Sequence, residues 1–357
     1  MDIHFNGYKV KYPFLNYGMQ SIRQSQNIRS INIFIDLDDL FHTLHRPLIN
    51  NEFQVAGKNA SKQFVSNIFN IAGHYRNWAI KEHLIPTVWL FYTSSKKTFK
   101  NSLYVPSYRE RFLDINSDLN TNTYYINAAI KESYSIMHVI SKYIPGVYII
   151  DSKYLEPSII PNVIVNLGHN KDWNLVVSRD IYMLQYSYMD KTTMVSPKGD
   201  NSIFINKGNL WDYIIGRERV YKDDIPHIYY NPELFIYAKA LIGDKYRSIP
   251  RLKKIGWKTL FNYLNKAIED SEIPLDLQIE KLVDLLNSKK VNIEEYNSNL
   301  YCSNVELQTD SLLESDKNII LDQIEDMEDY IALNNVNNSI FTRFPINLNF
   351  LCNKVVI

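Results

Sequence analysis

Short apolar strands that alternate with helical segments are the feature that most restricts how this 357-residue chain can fold. Four candidate strands have this character, at residues 31–35, 87–92, 147–150 and 175–177. Between them, apolar residues at helical spacing indicate helices at about 61–82 and 124–143. This alternation predicts an α/β fold, in which a mostly parallel twisted sheet is flanked by helices.

Acidic residues lie at or just beyond the ends of three of these strands: Asp36, Asp151 and Asp180. In open α/β sheets, ligands bind beyond the carboxyl ends of the strands. A single aspartate at such a position often serves only as a helix cap. Several on one sheet edge favour a site for a hard divalent cation such as magnesium, which takes oxygen ligands.

The charge of the chain is balanced overall but divided along its length. It has 39 basic and 39 acidic side chains, which argues against binding nucleic acid or membrane by bulk charge alone. Residues 245–258 nevertheless contain six basic and no acidic side chains, whereas residues 281–330 are acidic. A local basic patch that contacts nucleic acid is therefore compatible with zero net charge.

Cysteine usage and the absence of targeting segments predict a cytoplasmic protein. Cys302 and Cys352 are too few for a disulfide framework and have no metal-ligand spacing. We find neither a signal-peptide pattern nor a long apolar run, so no membrane partner is expected. If the gene is phage-borne, the compartment is the cytoplasm of the host cell.

The segment 243–260 resembles the DNA-binding motif of the phage-type 5′-nucleases of the flap endonuclease family. It aligns without a gap on G-D-x-x-D-N-I-P-G-x-x-G-I-G-x-K-T-A. The matching residues are Gly243, Asp244, Ile249, Pro250, Ile255, Gly256, Lys258 and Thr259. The resemblance implies a PIN-like nuclease domain with a helix–turn–helix that grips duplex DNA through phosphate contacts. It also implies a set of DNA-binding residues, namely Lys245, Arg251, Lys253, Lys254, Gly256, Lys258 and Thr259.

Further pieces of the chain resemble the same family in the same order. The resemblance implies that Mg²⁺ or Mn²⁺ is held by the catalytic acids, namely Asp36, Glu156, Asp180 and Asp244. It also implies that Arg109 and Arg111, in a segment similar to the family's Y-K-x-x-R, steady the phosphate of the substrate. The expected activity is cleavage of DNA or RNA–DNA hybrid duplexes at 5′ ends or flaps.

Several acids of the family pattern are missing from this chain. Tyr92, Thr93 and Ser94 stand where F-D-G is expected. Elsewhere, family aspartates are replaced by Ser158, Ile159, Tyr182 and Arg247. Pro161 also lies where a helix should continue, which predicts a delayed or kinked helix.

These departures leave two hypotheses open. In the first, the four retained carboxylates hold one or more divalent cations, and the chain is a hydrolase of DNA replication, a 5′-3′ exonuclease or flap endonuclease. In the second, Arg247 or Arg179 takes the place of the cation, and the chain binds DNA or a replication or virion partner without cleavage. Coincidental alternation in an unrelated α/β enzyme is a third explanation.

The predicted organisation has three parts. Residues 1–208 form the nuclease domain, 209–280 a helical DNA-binding subdomain, and 281–357 an acidic C-terminal extension. The extension is the expected docking site for a replication protein.

Overall fold

The structure is a computed structural model that describes most of the chain. The described residues are 3–5, 8–10, 30–40, 53–94, 100–106, 108, 121–142, 144, 146–197, 202–218, 230–245, 247–252, 255–267 and 273–333. Among them, no helix is long and apolar enough to cross a membrane.

A mixed six-stranded sheet forms the centre of the fold. Its strands are β3 (Ser30–Asp36), β4 (Ile85–Tyr92), β5 (Val147–Asp151), β6 (Trp173–Val177), β7 (Thr192–Ser196) and β8 (Ile203–Ile205), in the spatial order β5-β4-β3-β6-β7-β8. The first five strands are parallel, and β8 pairs antiparallel with β7 at the sheet edge. Two short strands, β1 (Ile3–Phe5) and β2 (Tyr8–Val10), form a separate antiparallel pair.

Ten helices accompany the sheet in the described part of the chain. They are α1 (Phe53–Lys81), α2 (Thr121–Ser141), α3 (Ile160–Asn166), α4 (Leu210–Arg217), α5 (Leu234–Ile242), α6 (Trp257–Ala267), α7 (Leu275–Ser288), α8 (Ile293–Ser303), α9 (Val305–Asp310) and α10 (Glu314–Leu333). Three 3₁₀ helices span Lys100–Leu103, Pro157–Ile159 and Ile181–Tyr188. Residues 37–40, directly after β3, are also helical.

The central strands are largely buried because helices cover the sheet. In β3, every residue after Ser30 is buried. Helices α1 and α2 pack on each other, α1 also packs against β3 and β4, and α2 packs against β5. Such continuous apolar strands are typical of parallel sheets, so the predicted α/β architecture is confirmed.

The acidic C-terminal helices belong to the same hydrophobic core as the sheet. Leu286 of α7, Val305 of α9, and Ile320 and Ile324 of α10 are buried in that core. Their acidic side chains occupy the opposite helix faces, which is the arrangement of amphipathic helices. The described part of the predicted extension is therefore packed against the rest of the molecule, rather than projecting from it.

Pro161 has the local effect that the sequence predicts. A 3₁₀ helix covers Pro157–Ile159, and the regular helix α3 begins only at Ile160. Pro161 then lies in the first turn of α3, where a backbone N–H has no partner within the helix.

Candidate functional site

A cleft of about 810 Å³ lies between the carboxyl end of the sheet and the turn that joins α5 to α6. Acidic residues from the sheet side line one wall, namely Asp36, Asp38, Asp39 and Asp180. The turn also lines the cleft, through residues that include Asp244, Lys245, Arg247 and Arg251. The cleft is at the position where parallel α/β sheets place their ligands.

The turn between α5 and α6 begins at a glycine that no other residue can replace without strain. Gly243 has φ 68°, and a Cβ on it would lie 2.6 Å from the carbonyl oxygen of Pro250. This close approach allows Asp244 and Ile249 to exchange two backbone hydrogen bonds of 3.0 and 2.9 Å. The Asp244 carboxylate also accepts from the backbone N–H of Arg247 at 2.8 Å. The turn is therefore compact, and it directs Arg247 into the molecule.

Arg247 extends its side chain into the group of predicted metal ligands. Its Nη2 and Nε atoms lie 3.0 and 3.2 Å from Oε1 of Glu156. Its Nη1 donates to Oδ1 of Asp180 at 3.1 Å, and Nη2 donates to the other oxygen of the same carboxylate. The guanidinium thus joins two carboxylates, one of them through a bidentate pair. The Arg247 side chain is 2% exposed, so these are interior ion pairs.

Aromatic side chains complete the surroundings of the guanidinium. The Tyr182 ring lies under it, with 3.9 Å between the guanidinium carbon and the ring centroid. The hydroxyl of Tyr108 donates to Oε2 of Glu156 at 2.5 Å. Burial alone disfavours a charged guanidinium, but Asp180 and Glu156 outweigh it and raise the pKa of Arg247, which stays charged.

Asp244 is paired with a second buried cation. The Lys239 Nζ donates to Oδ2 of Asp244 at 3.1 Å and to the carbonyl oxygen of Gly243 at 2.8 Å. Burial raises the pKa of the Asp244 carboxyl, but Lys239 and then Arg247 outweigh it, so the net shift is downward. Asp244 is accordingly an ionised partner of these cations.

Asp36 also lines the cleft, and Ser178 links it to Asp180, since the Ser178 hydroxyl accepts from the backbone N–H of Asp180 at 3.0 Å. The Asp36 carboxylate accepts from Ser178 Oγ at 2.9 Å and from the backbone N–H of Asp39 at 3.2 Å. Burial raises the pKa of Asp36 well above its ordinary value, and the charges of Asp39, Asp38 and Asp180 raise it further. Asp39 itself accepts from the backbone N–H of Arg179 at 2.6 Å.

Three of the four predicted metal ligands are paired with side-chain cations in this arrangement. Glu156 and Asp180 hold Arg247, Asp244 holds Lys239, and Asp36 is bound to Ser178. Throughout the described residues, no group of three or more His, Cys, Asp or Glu side chains is arranged to hold a metal ion. At Glu156, Asp180 and Asp244, the oxygens that a divalent cation would require are instead paired with side-chain cations.

The predicted DNA-binding residues that the structure describes lie on and beside the same turn. Lys245 and Arg251 are exposed at the cleft, and Lys258 and Thr259 are exposed in the first turn of α6. Gly256 precedes that helix and accepts its first backbone hydrogen bond, from Leu260 at 2.9 Å. The remaining predicted residues, Lys253, Lys254, Arg109 and Arg111, lie outside the described residues.

Two participants in the buried network were not identified from the sequence. Lys239 is the only charged residue of the otherwise apolar helix α5, and a lone lysine in such a helix is a signal for a buried partner. Tyr108 lies in the segment in which the sequence suggested only Arg109 and Arg111. No pattern in the sequence indicated that the tyrosine, by contacting Glu156, would join the network.

Comparison with known proteins gives similarity at the level of structure only. No protein-family model matches the chain, and no curated protein is significantly similar to it in sequence. The solved structures that resemble it include the flap endonuclease of bacteriophage T5, as a variant in a pseudo-enzyme–product complex with DNA and metal ions. That structure is 13% identical, has a TM-score of 0.56, and covers 85% of this chain and 99% of its own.

A second structure, the 5′-exonuclease of phage T5 with bound zinc, resembles the chain at 14% identity with a TM-score of 0.54, over 84% of this chain and 99% of its own. The chain therefore has the PIN-like fold of the 5′-nucleases.

Proposed function

We propose that this chain is a nuclease-fold protein that binds nucleic acid, foremost duplex DNA, without metal-dependent cleavage. The observation that carries this proposal is the pairing of three of the four predicted metal ligands, Glu156, Asp180 and Asp244, with Arg247 or Lys239. Duplex DNA is favoured because the similar phage endonuclease structure contains DNA. The turn between α5 and α6 also offers the charges that phosphate contacts require.

Metal-dependent cleavage needs carboxylates that are able to bind cations. Such catalysis uses metal ions to generate the nucleophile and to stabilise the attacking and leaving oxygens. For a metal to bind Glu156 and Asp180 here, it would have to displace a buried guanidinium. Breaking a buried ion pair typically costs about 3–5 kcal/mol. This cost opposes the alternative function, a metal-dependent 5′-nuclease acting on flaps or RNA–DNA hybrids.

The surface for nucleic acid is built from backbone and side chains together. The start of α6 suits a phosphate, because the positive end of the helix dipole favours negative charge there. Lys258 and Thr259 lie in the same first turn, and Lys245 and Arg251 lie across the turn at the cleft. Contacts of this kind position a duplex without selecting its sequence.

The direct test is to measure binding and cleavage with the same labelled substrates. Fluorescence anisotropy with a blunt duplex, a 5′-flap duplex and an RNA–DNA hybrid is recorded in EDTA and in Mg²⁺ or Mn²⁺. We expect the affinity for each substrate to be the same in EDTA and in the presence of metal. We also expect each substrate to remain uncleaved, at full length, on a denaturing gel.

Two results would contradict the proposal. One is metal-dependent product that disappears in Asp36→Ala and Asp180→Ala, which would establish the nuclease alternative. The other is the absence of binding to all three substrates at low salt, where phosphate contacts are strongest.

A further inference from the structure

We propose that Arg247 is a tethered cation, which replaces a dissolved divalent cation among the carboxylates and fixes the turn 243–252 against the sheet. Arg247 is then a positioning residue for nucleic-acid binding, and that binding is independent of metal. This inference rests on the proposed function for its effect on DNA, but its effect on the fold can be measured without DNA.

The first argument is that one guanidinium joins three distant parts of the chain. Arg247 comes from the turn, Glu156 precedes the 3₁₀ helix after β5, and Asp180 follows β6. The paired residues are separated by 91 and 67 positions in sequence. The contacts to Glu156 are buried and those to Asp180 are partly buried, so each charge needs its partner. The turn consequently cannot leave the sheet edge without exposing or unpairing two carboxylates.

The second argument is that the departures from the family pattern fit one another physically. Arg247 and Tyr182 both stand where the resemblance implies an aspartate. In the structure the guanidinium carbon of Arg247 lies 3.9 Å from the centroid of the Tyr182 ring, and the Tyr182 hydroxyl contacts Ser303 Oγ of α8 at 3.3 Å. Replacing one acid by a base and a second by an aromatic ring removes negative charge and supplies a cation–π contact. The replacements therefore produce a packed site in which side-chain cations offset part of the acidic charge, rather than one that has only lost ligands.

The third argument concerns what the network supports. Lys245 and Arg251, the exposed cations of the turn, flank the buried Arg247 in sequence. From the other side, Asn299 of α8 donates to the carbonyl oxygens of Pro250 and Ala240 at 2.9 and 3.0 Å. The turn is thus held by Arg247 from the sheet and by Asn299 from α8. Only the attachment through Arg247 is ionic. A variant of Asn299 is therefore a matched control for a variant of Arg247.

The test compares Arg247→Ala and Arg247→Gln with Asn299→Ala in the full-length protein. Thermal unfolding is recorded in EDTA and in millimolar Mg²⁺ or Mn²⁺. We expect all three variants to unfold at lower temperature than the parent in EDTA. Only the Arg247 variants should regain stability when metal is added, because only they leave carboxylates without a cation. Arg247→Lys, which keeps a positive charge, should not respond to metal.

Duplex affinity provides the second readout. In EDTA, we expect the Arg247 variants to bind duplex DNA about tenfold more weakly than the parent, which corresponds to about 1.4 kcal/mol. Metal should restore most of this loss in the Arg247 variants and none of it in Asn299→Ala.

The outcomes separate the inference from the proposed function. If the stability of both Arg247 variants is unchanged by metal, or if Asn299→Ala responds equally, the tethered-cation inference is wrong. If the variants regain stability with metal while neither they nor the parent binds duplex, the inference about the turn stands and the proposed function fails. If Arg247→Ala does not fold, Arg247→Gln, which retains hydrogen-bond donors, decides the question by the same measurement.

Discussion

At the scale of single residues, Gly243 controls whether Arg247 can enter the interior. Its φ and ψ of 68° and −169° belong to a region that is essentially restricted to glycine. The carbonyl groups of Ile249 and Pro250 also occupy the space in which a side chain would begin. A glycine is therefore required at this position for two reasons: the dihedral angles, and the close approach of the backbone of Ile249 and Pro250.

We predict that Gly243→Ala lowers the free energy of unfolding by about 3 kcal/mol or more, because strain and a steric clash add. Gly168→Ala is the matched control, since Gly168 also has positive φ but no atom within 4 Å of the added Cβ. The free energy of unfolding of Gly168→Ala should fall by only about 1 kcal/mol. Urea unfolding of the two variants measures the difference, and equal losses would show that the close approach to Pro250 has no energetic effect.

Arg247 shows how far residue-level prediction from sequence extends. The sequence identified it as a basic residue at an acidic position and left two roles open, a lost ligand and a replacement cation. A choice between these roles requires the direction of the side chain, which depends on the turn geometry set by Gly243 and Asp244. The pairing with Glu156 and Asp180 is a property of the folded chain.

At the scale of elements, helix α10 protects the outer edge of the sheet. Strand β5 is an edge strand, and α10 packs beside it. The side chain of Gln323 accepts from the backbone N–H of Asp151 at 2.9 Å and donates to its carbonyl oxygen at 3.0 Å. An amide side chain thus satisfies strand groups that would otherwise be open to pairing with another strand.

We predict that Gln323→Ala destabilises the protein by about 1–2 kcal/mol, because two hydrogen bonds to the strand are lost. Asp322→Ala, at the exposed neighbouring position of α10, is the control and should have a much smaller effect. Chemical unfolding provides the free energies, and hydrogen exchange should locate the loss of protection at the end of β5. Similar unfolding midpoints for the two variants would contradict this role of Gln323.

The role of α10 also explains why the acidic C-terminal segment was hard to interpret from sequence. Its acids are visible as a charge bias, whereas its apolar residues are spaced to form one face of each helix. Whether that face covers this chain or a partner depends on the presence of an uncovered surface elsewhere in the fold. Here the edge of β5 provides such a surface, and Ile320, Ile324 and Met327 are buried.

At the scale of the whole molecule, the zero net charge is the sum of regions that carry opposite charge and lie apart in the sequence. The exposed cations of the turn are on one surface of the fold, whereas the C-terminal helices carry most of the exposed acids. The molecule is therefore expected to bind nucleic acid locally at the turn. The affinity for nucleic acid should fall as the salt concentration rises, with a slope set by the few phosphate contacts made at the turn.

We predict that Lys258→Ala reduces the slope of log affinity against log salt by about one, with a similar loss of affinity for every duplex sequence. Lys131→Ala, an exposed lysine of α2, is the control and should leave the slope unchanged. Anisotropy titrations over a range of salt concentrations provide both slopes. An unchanged slope in Lys258→Ala would exclude this lysine from the interface.

By itself, the sequence determined the strands β3 to β6, the order of the motifs and the α/β class, because these depend on hydrophobic periodicity and on residues close together in the chain. It also identified the turn between α5 and α6, whose glycine, proline and helix-start residues act locally. Only the tertiary structure decided that Arg247 and Lys239 pair with the acids and that the C-terminal helices complete the core. Those pairings join residues far apart in sequence, and a buried charge takes the partner that the packed interior brings within reach.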